Sequence, residues 1–312
     1  MPRFRSAANL PAWRKLALGA WGPPTSPTAY GVLDLDCENA LAWAARARDA
    51  TGEKITLTHL VGKAVAVAIA SAPETNGFAS LGRLMLRSSV DVFFQVAFFD
   101  HDHALPRGTE AATRRDANLA GAKVDGADVK SVVAIARELR ERSQAIRTRA
   151  HDETVRATKL IGSFPGPLTS VAARLGAFLS FDVGLDLSRF GIPFDPFGSC
   201  MVTNVGVFGI EGAWAPLVPF SRTPICVTLG AVHEVPAVVE GAIVARRHVS
   251  IGVAFDHRVL DGYHAGVMAR RFEAVFARPA VELGDPAQQG QWTSPTRSAN
   301  APTRTSSGDA PP

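Results

Sequence analysis

Asp256-His257-Arg258-Val259-Leu260-Asp261-Gly262 is the stretch on which the fold of this chain turns. An alternation of Val249, Ile251, Val253 and Phe255 leads into it as a strand, and the spacing of Val267, Met268, Phe272, Val275 and Phe276 leads out of it as a helix. The ring of His257 therefore sits at a strand end, held by a tight turn. A histidine so placed can serve as a general base near neutral pH. It can equally cap the turn and pair with the nearby acid, and the heptapeptide alone does not separate the two readings.

Working outward, Thr58 to Ala72 reads as a helix with Thr58 at its N-cap, an apolar stripe through Leu60, Val61, Ala64, Val65, Ala68 and Ile69, and Pro73 as its stop. Val90 to Phe99 alternates as a strand, with aromatic residues on both faces. Ser131 to Arg149 is a second amphipathic helix. Strands follow over Ser199 to Val207 and Ile225 to Val232, then a hairpin turning at Glu240-Gly241. The helix after Gly262 closes at Pro279. Strands come in clusters rather than in strict alternation with helices, which predicts a mixed α/β domain, a mixed sheet flanked by helices. No Gly-x-Gly-x-x-Gly follows a strand, so a dinucleotide-binding reading is disfavoured.

Composition limits the function classes. The chain has 312 residues, 46% of them apolar, enough for one large domain or two modest ones with a sizeable core. No run long enough to span a bilayer occurs, and Met1-Pro2-Arg3-Phe4-Arg5 is not followed by an apolar signal-type segment. The expected location is the cytoplasm. Cys37, Cys200 and Cys226 form no paired spacing and read as buried thiols in a reducing compartment. The net charge is only +4, and the arginines at 137, 140, 142, 147 and 149 read as a solvated helix face rather than a nucleic-acid footprint. His101 and His103 sit in a polar loop and read as exposed, so no metal is expected. The stretch from Gly284 to Pro312 is rich in Pro, Ser, Thr, Gly and Gln and reads as a disordered tail.

These motifs resemble, in order, those of the catalytic domain of the 2-oxoacid dehydrogenase dihydrolipoyl acyltransferases, relatives of chloramphenicol acetyltransferase. Asp256 to Gly262 is similar to the family's active-site motif. Gly198-Ser199-Cys200-Met201-Val202-Thr203-Asn204-Val205-Gly206 is similar to its strand ending in Ser/Thr-Asn-x-Gly, continued by Val207-Phe208-Gly209, Pro224-Ile225 and the strand at Gly230. Ile55 to Asn76 resembles the first long helix, Val90-Asp91-Val92 the strand after it, and Trp13-Arg14-Lys15 the opening segment. The resemblance covers most of residues 10–283. It implies a chloramphenicol acetyltransferase-like fold behind an N-terminal arm (1–9), with insertions at 100–118 and 154–197 and a tail over 284–312.

What the resemblance implies is acyl transfer between coenzyme A and a thiol of dihydrolipoyl type, or a hydroxyl. His257 would be the base and Thr203 the oxyanion donor. Asp261 would be mainly structural, paired with an arginine, for which Arg14 is the candidate by resemblance and Arg258 the local one. Gly262 would let the chain turn into the helix without a Cβ clash, and Asn204 would order the strand end. The family's assembly implies a homotrimer, or a higher assembly of trimers, with His257 and Thr203 meeting across two subunits. The sequence shows neither a lipoyl domain with its Asp-Lys-Ala hairpin nor a subunit-binding module, so a lipoyl group would arrive in trans on another protein. The two insertions leave the pockets for coenzyme A and acceptor unassigned. They also motivate a second class of function, a non-catalytic oligomeric scaffold that keeps the fold. For Thr154 to Phe197, packing on the domain is the default expectation, with peripheral membrane contact through 160–181 the weaker alternative.

Overall fold

The computed structural model describes residues 26–98, 118–150, 174–186 and 194–289. Among the described residues, strands and α-helices run in the order β1 (Thr28–Asp36), α1 (Glu38–Thr51), α2 (Leu57–Ser71), β2 (Gly77–Ser80), β3 (Arg83–Leu86), β4 (Val92–Phe98), β5 (Asn118–Val124), α3 (Val132–Ala150), β6 (Cys200–Asn204), β7 (Ile225–Val239), β8 (Ala242–Asp256), α4 (Gly262–Ala277) and α5 (Pro279–Leu283). Six strands form one mixed sheet in the order β1-β8-β7-β6-β4-β5, and β2 and β3 form a separate hairpin. Only β4/β6 and β6/β7 pair in parallel.

The sheet has two different faces, and the sequence alternation sets them. Leu35, Val92, Phe94, Cys200, Val202, Ile225, Val227, Ile251 and Phe255 point to one side and build the main core with Trp43, Leu60, Val61, Ile69, Phe272 and Phe276 of α1, α2 and α4. Met201, Cys226 and Ala254 point the other way, where Phe93, Phe197, Leu217 and Val218 cover them. The loop after β6 crosses this second face at backbone contact. A Cβ on Gly230 would lie 1.8 Å from the Glu211 carbonyl oxygen and one on Gly252 would lie 2.0 Å from that of Ala213, so neither strand position admits a side chain. The long β7–β8 ribbon turns at Glu240 and Gly241, both at positive φ (50° and 83°), as a two-residue hairpin of matching twist requires.

Several sequence expectations need adjustment. Helix α2 begins one residue earlier than predicted, with Thr56 as its N-cap; the Thr56 N–H donates to His59 Nδ1 at 3.0 Å. Thr58 is free for another contact. Strand β4 starts at Val92, because the carbonyls of Val90 and Asp91 accept from Ala127 and Ser199 instead of a strand partner. Strand β6 stops at Asn204, where the Val205 N–H donates to Leu229 O and a 3-10 turn begins. The tail expected from Gly284 does not begin there. Trp43 Nε1 donates to Gly284 O at 3.0 Å, and Gln289 is 2% exposed, its amide joining Val132 N and Leu283 O. Residues 290–312 lie outside the described residues, as do His101, His103 and most of the expected insertion at 100–118. Asn118, its last residue, opens β5. Within 154–197, Phe178–Asp182 forms a π-helical turn that packs on the β2–β3 hairpin. The Phe181 and Phe78 rings meet edge-on at 5.2 Å, and Asp182 receives both Ser80 and Arg222.

Burial of His59, with a smaller effect from Lys54, pushes its imidazole down to about 4. The neutral ring is the form that accepts the Thr56 N–H. An unfolded histidine titrates near ~6.5, so between these values the unfolded chain binds a proton that the folded chain does not. Stability present above ~6.5 is therefore lost as pH falls through that window, by up to ~3 kcal/mol. Urea melts across the window should show this slope, and His59→Gln should flatten it; a slope unchanged in the variant assigns the loss to other groups.

Candidate active site

His257 follows the last residue of β8. Its backbone N–H donates to Pro27 O at 2.8 Å, which fastens the turn to the start of β1. The carboxylate of Asp256 accepts from the Arg258 backbone N–H (3.0 Å), from Arg258 Nε (2.9 Å) and from Arg258 Nη2 (2.6 Å). The Asp256 carbonyl accepts from Val259 and Leu260 N–H. The residues on either side of His257 thus clamp one another, and Val259 and Leu260 are buried as the anchor of the turn. The imidazole itself is exposed, stacked on the Phe255 ring at 6.3 Å, and has no hydrogen bond among the described residues.

Asp261 caps α4. It accepts from the His264 backbone N–H at 3.1 Å, and His264 Nδ1 lies 2.7 Å from the same oxygen. The His264 backbone N–H is the main reason its carboxyl sits below the usual carboxylate range. Arg258, the local candidate for an ion pair with Asp261, is committed to Asp256 instead. Arg14, the other candidate, lies outside the described residues. Gly262 occupies the first helical position, where a Cβ would meet nothing within 4 Å. The clash expected to demand glycine there is absent among the described residues.

Thr203 lies near the end of β6, half-buried, and alternates with Val202 and Asn204 so that it faces the side away from α1, α2 and α4, with Met201. Asn204 faces the helices. Its Nδ2 donates to Thr58 Oγ1 at 3.0 Å, joining the end of β6 to the first turn of α2, while its Oδ1 is buried without a partner among the described residues.

Register fixes the relation between His257 and Thr203. Thr203 pairs with Thr228, which pairs with Gly252, five residues before His257. The two therefore lie ~16 Å apart along the strands and ~10 Å apart across them. Strand β8 runs opposite to β6, so the imidazole is at one end of the sheet and the hydroxyl about halfway along it, level with Gly252 and Val32. Neither side chain can span that gap within one chain.

The architecture can be compared with known proteins. The chain superposes on a probable dihydrolipoamide acetyltransferase from Listeria monocytogenes 4b F2365 with TM-score 0.53 at 17% identity, covering 88% of this chain and 95% of that one. An Azotobacter vinelandii dihydrolipoamide acetyltransferase gives TM-score 0.53 at 17% identity, covering 91% and 100%. A truncated catalytic core of the 2-oxoacid dehydrogenase multienzyme complex from Thermoplasma acidophilum gives 0.51 at 16% identity, covering 88% and 99%. The chain shares the fold of these three proteins. Within it, residues 197–283 match the family model described as 2-oxoacid dehydrogenases acyltransferase (catalytic domain). The matched segment holds β6 to α5, and so contains Thr203, Asn204, His257, Asp261 and Gly262.

The Asp256–Arg258 clamp was not assigned a role from the sequence. Its signal was there to read, as opposite charges on either side of the histidine within three residues. The Pro27 contact left no such signal, because a backbone carbonyl carries no residue preference. Among the described residues no three His, Cys, Asp or Glu side chains gather as metal ligands, and no helix is long and apolar enough to cross a membrane.

Proposed function

We propose that this protein transfers acyl groups between coenzyme A and a thiol of dihydrolipoyl type, or a hydroxyl, at a site shared by two copies of the chain. His257 of one copy takes the proton of the acceptor S–H or O–H as the acceptor attacks the thioester carbonyl. The Thr203 hydroxyl of the other copy donates to the oxyanion that forms. The tetrahedral adduct collapses, the C–S bond to coenzyme A breaks, and the leaving thiolate takes the proton back from His257. The cycle leaves the protein unchanged.

The observation that carries this reading is that one 87-residue segment, matched to an acyltransferase catalytic domain, contains an imidazole and a hydroxyl that have no hydrogen bond among the described residues and are held ~16 Å apart along the strands of one sheet. Each is useless for the other within a chain and available to a neighbour. The face of the sheet away from α1, α2 and α4 supports the same assembly, with Tyr30 and Val32 of β1 exposed there and Val207, Phe208, Ile210 and Trp214 exposed in the loop that crosses it. A symmetric homo-oligomer, a trimer or an assembly of trimers, covers that face and brings the two groups together. The azotobacter relative was studied for the roles of a serine, a histidine and an asparagine four places after that histidine in catalysis. Here the fourth residue after His257 is Asp261, in its capping role. Coenzyme A is a substrate in this reading, and a lipoyl acceptor comes on a partner protein.

The direct test is to supply acetyl-, propionyl- and longer acyl-coenzyme A with dihydrolipoamide and to follow free coenzyme A and S-acyl product by chromatography. Turnover with any donor is the expected result. No turnover with any of them, together with no coenzyme A binding by calorimetry, leaves only the scaffold.

A further inference from the structure

Behind the His257 turn lies a cavity of about 260 Å³ between the sheet and helices α2 and α4. Its walls come from β1, β7, β8, α2, α4 and Leu260, and every side chain lining it is apolar. Two of its walls are unusually bare. Gly31 stands on the inward face of β1, beside Leu33, where a Cβ would meet nothing within 4 Å. Across from it, α4 presents Ala265 and Ala269 rather than the Leu or Phe that would close the gap. The space is about half open to solvent, and an apolar group that fills it removes these apolar walls from water.

The cavity also has an address. Phe255 lines it, and the same ring stacks on His257 at 6.3 Å. Leu260, three residues past His257, lines it too. A group whose carbonyl lies at His257 and whose tail runs past Phe255 enters this space directly. The geometry points to a pocket for the saturated aliphatic tail of the transferred acyl group. A space of this size with apolar walls suits a tail of several methylenes, longer than acetyl. This inference rests on the acyl-transfer reading and names its donor class as medium-chain acyl-coenzyme A. The apolar lining excludes donors with a charged terminus, since a carboxylate would be buried there without a partner.

The test compares octanoyl- with acetyl-coenzyme A in the full chain, by turnover and by calorimetry. The wild type should favour octanoyl-coenzyme A in kcat/KM by about tenfold or more, as several buried methylenes allow. Gly31→Leu, whose new side chain projects into the cavity, should lower that preference by about tenfold, and Ala269→Leu should do the same from the opposite wall. The two variants together guard against misfolding of either. A wild-type preference for acetyl-coenzyme A, or a preference that both folded variants keep, overturns the pocket and leaves acyl transfer standing. Octanoyl-coenzyme A that binds better than acetyl-coenzyme A, loses that advantage in Gly31→Leu, and is never turned over supports the pocket and removes acyl transfer.

Discussion

His257→Ala lowers acyl transfer by ~10²–10⁴-fold, the usual contribution of a positioned general base. The protein stays folded and assembled. The side chain is exposed and makes one ring contact, with Phe255, while the bond that fastens the turn runs from the backbone N–H to Pro27 O and survives the substitution. Circular dichroism and size-exclusion chromatography should therefore match the wild type while turnover collapses. A variant with wild-type turnover would remove His257 from the chemistry, and with it the reason the Asp256–Arg258 clamp stands on either side of the ring.

Thr203→Val lowers kcat by ~10²–10³-fold with KM little changed, the loss expected when one oxyanion donor is removed. Valine keeps the branched shape and favours a strand, so β6 should keep its pairing with β4 and β7. Thr203→Ser should recover most of the rate, because it restores a hydroxyl at the same point. A valine variant as fast as the wild type, or a serine variant as slow as the valine one, would return Thr203 to the role of an ordinary strand residue. Neighbouring Thr228 is a useful contrast. It faces the same side, but its Oγ1 already accepts from Ala215 N–H at 3.2 Å, holding the loop that crosses the sheet. Its hydroxyl is structural where that of Thr203 is available.

The C-terminal half of the fold was legible because its strands carry β-branched and aromatic residues at strict alternation and end in turn residues with one conformation each, as at Glu240-Gly241. Other elements hid for identifiable reasons. Strand β1 places Gly31 where an inward apolar residue would mark the alternation, and follows prolines at 23, 24 and 27. Helix α1 buries Ala40, Trp43, Ala44 and Ala47, a stripe made mostly of alanine that barely stands out from its polar face. Strand β5, Asn-Leu-Ala-Gly-Ala-Lys-Val, is built of small residues because the Phe93 ring of β4 occupies the space above Gly121. At β5 the partner strand supplies the bulk, and a single sequence does not show the partner.

The candidate site divides the same way. His257 and Thr203 were expected from local motifs. That they lie ~16 Å apart along the strands follows from the antiparallel return of β8, a fact of topology. Asp261 was tied to an arginine by resemblance; its described contacts are those of a helix cap, made with the nearest residues in the chain.

The claim that two copies complete each other's site is tested by mixing inactive variants. His257→Ala and Thr203→Val protomers, dissociated, combined in equal amounts and reassembled, place an intact imidazole beside an intact hydroxyl in about one quarter of the interfaces of a cyclic oligomer. Activity near that fraction of the wild type is the result this account predicts. A reassembled mixture no more active than the separate variants would contradict it.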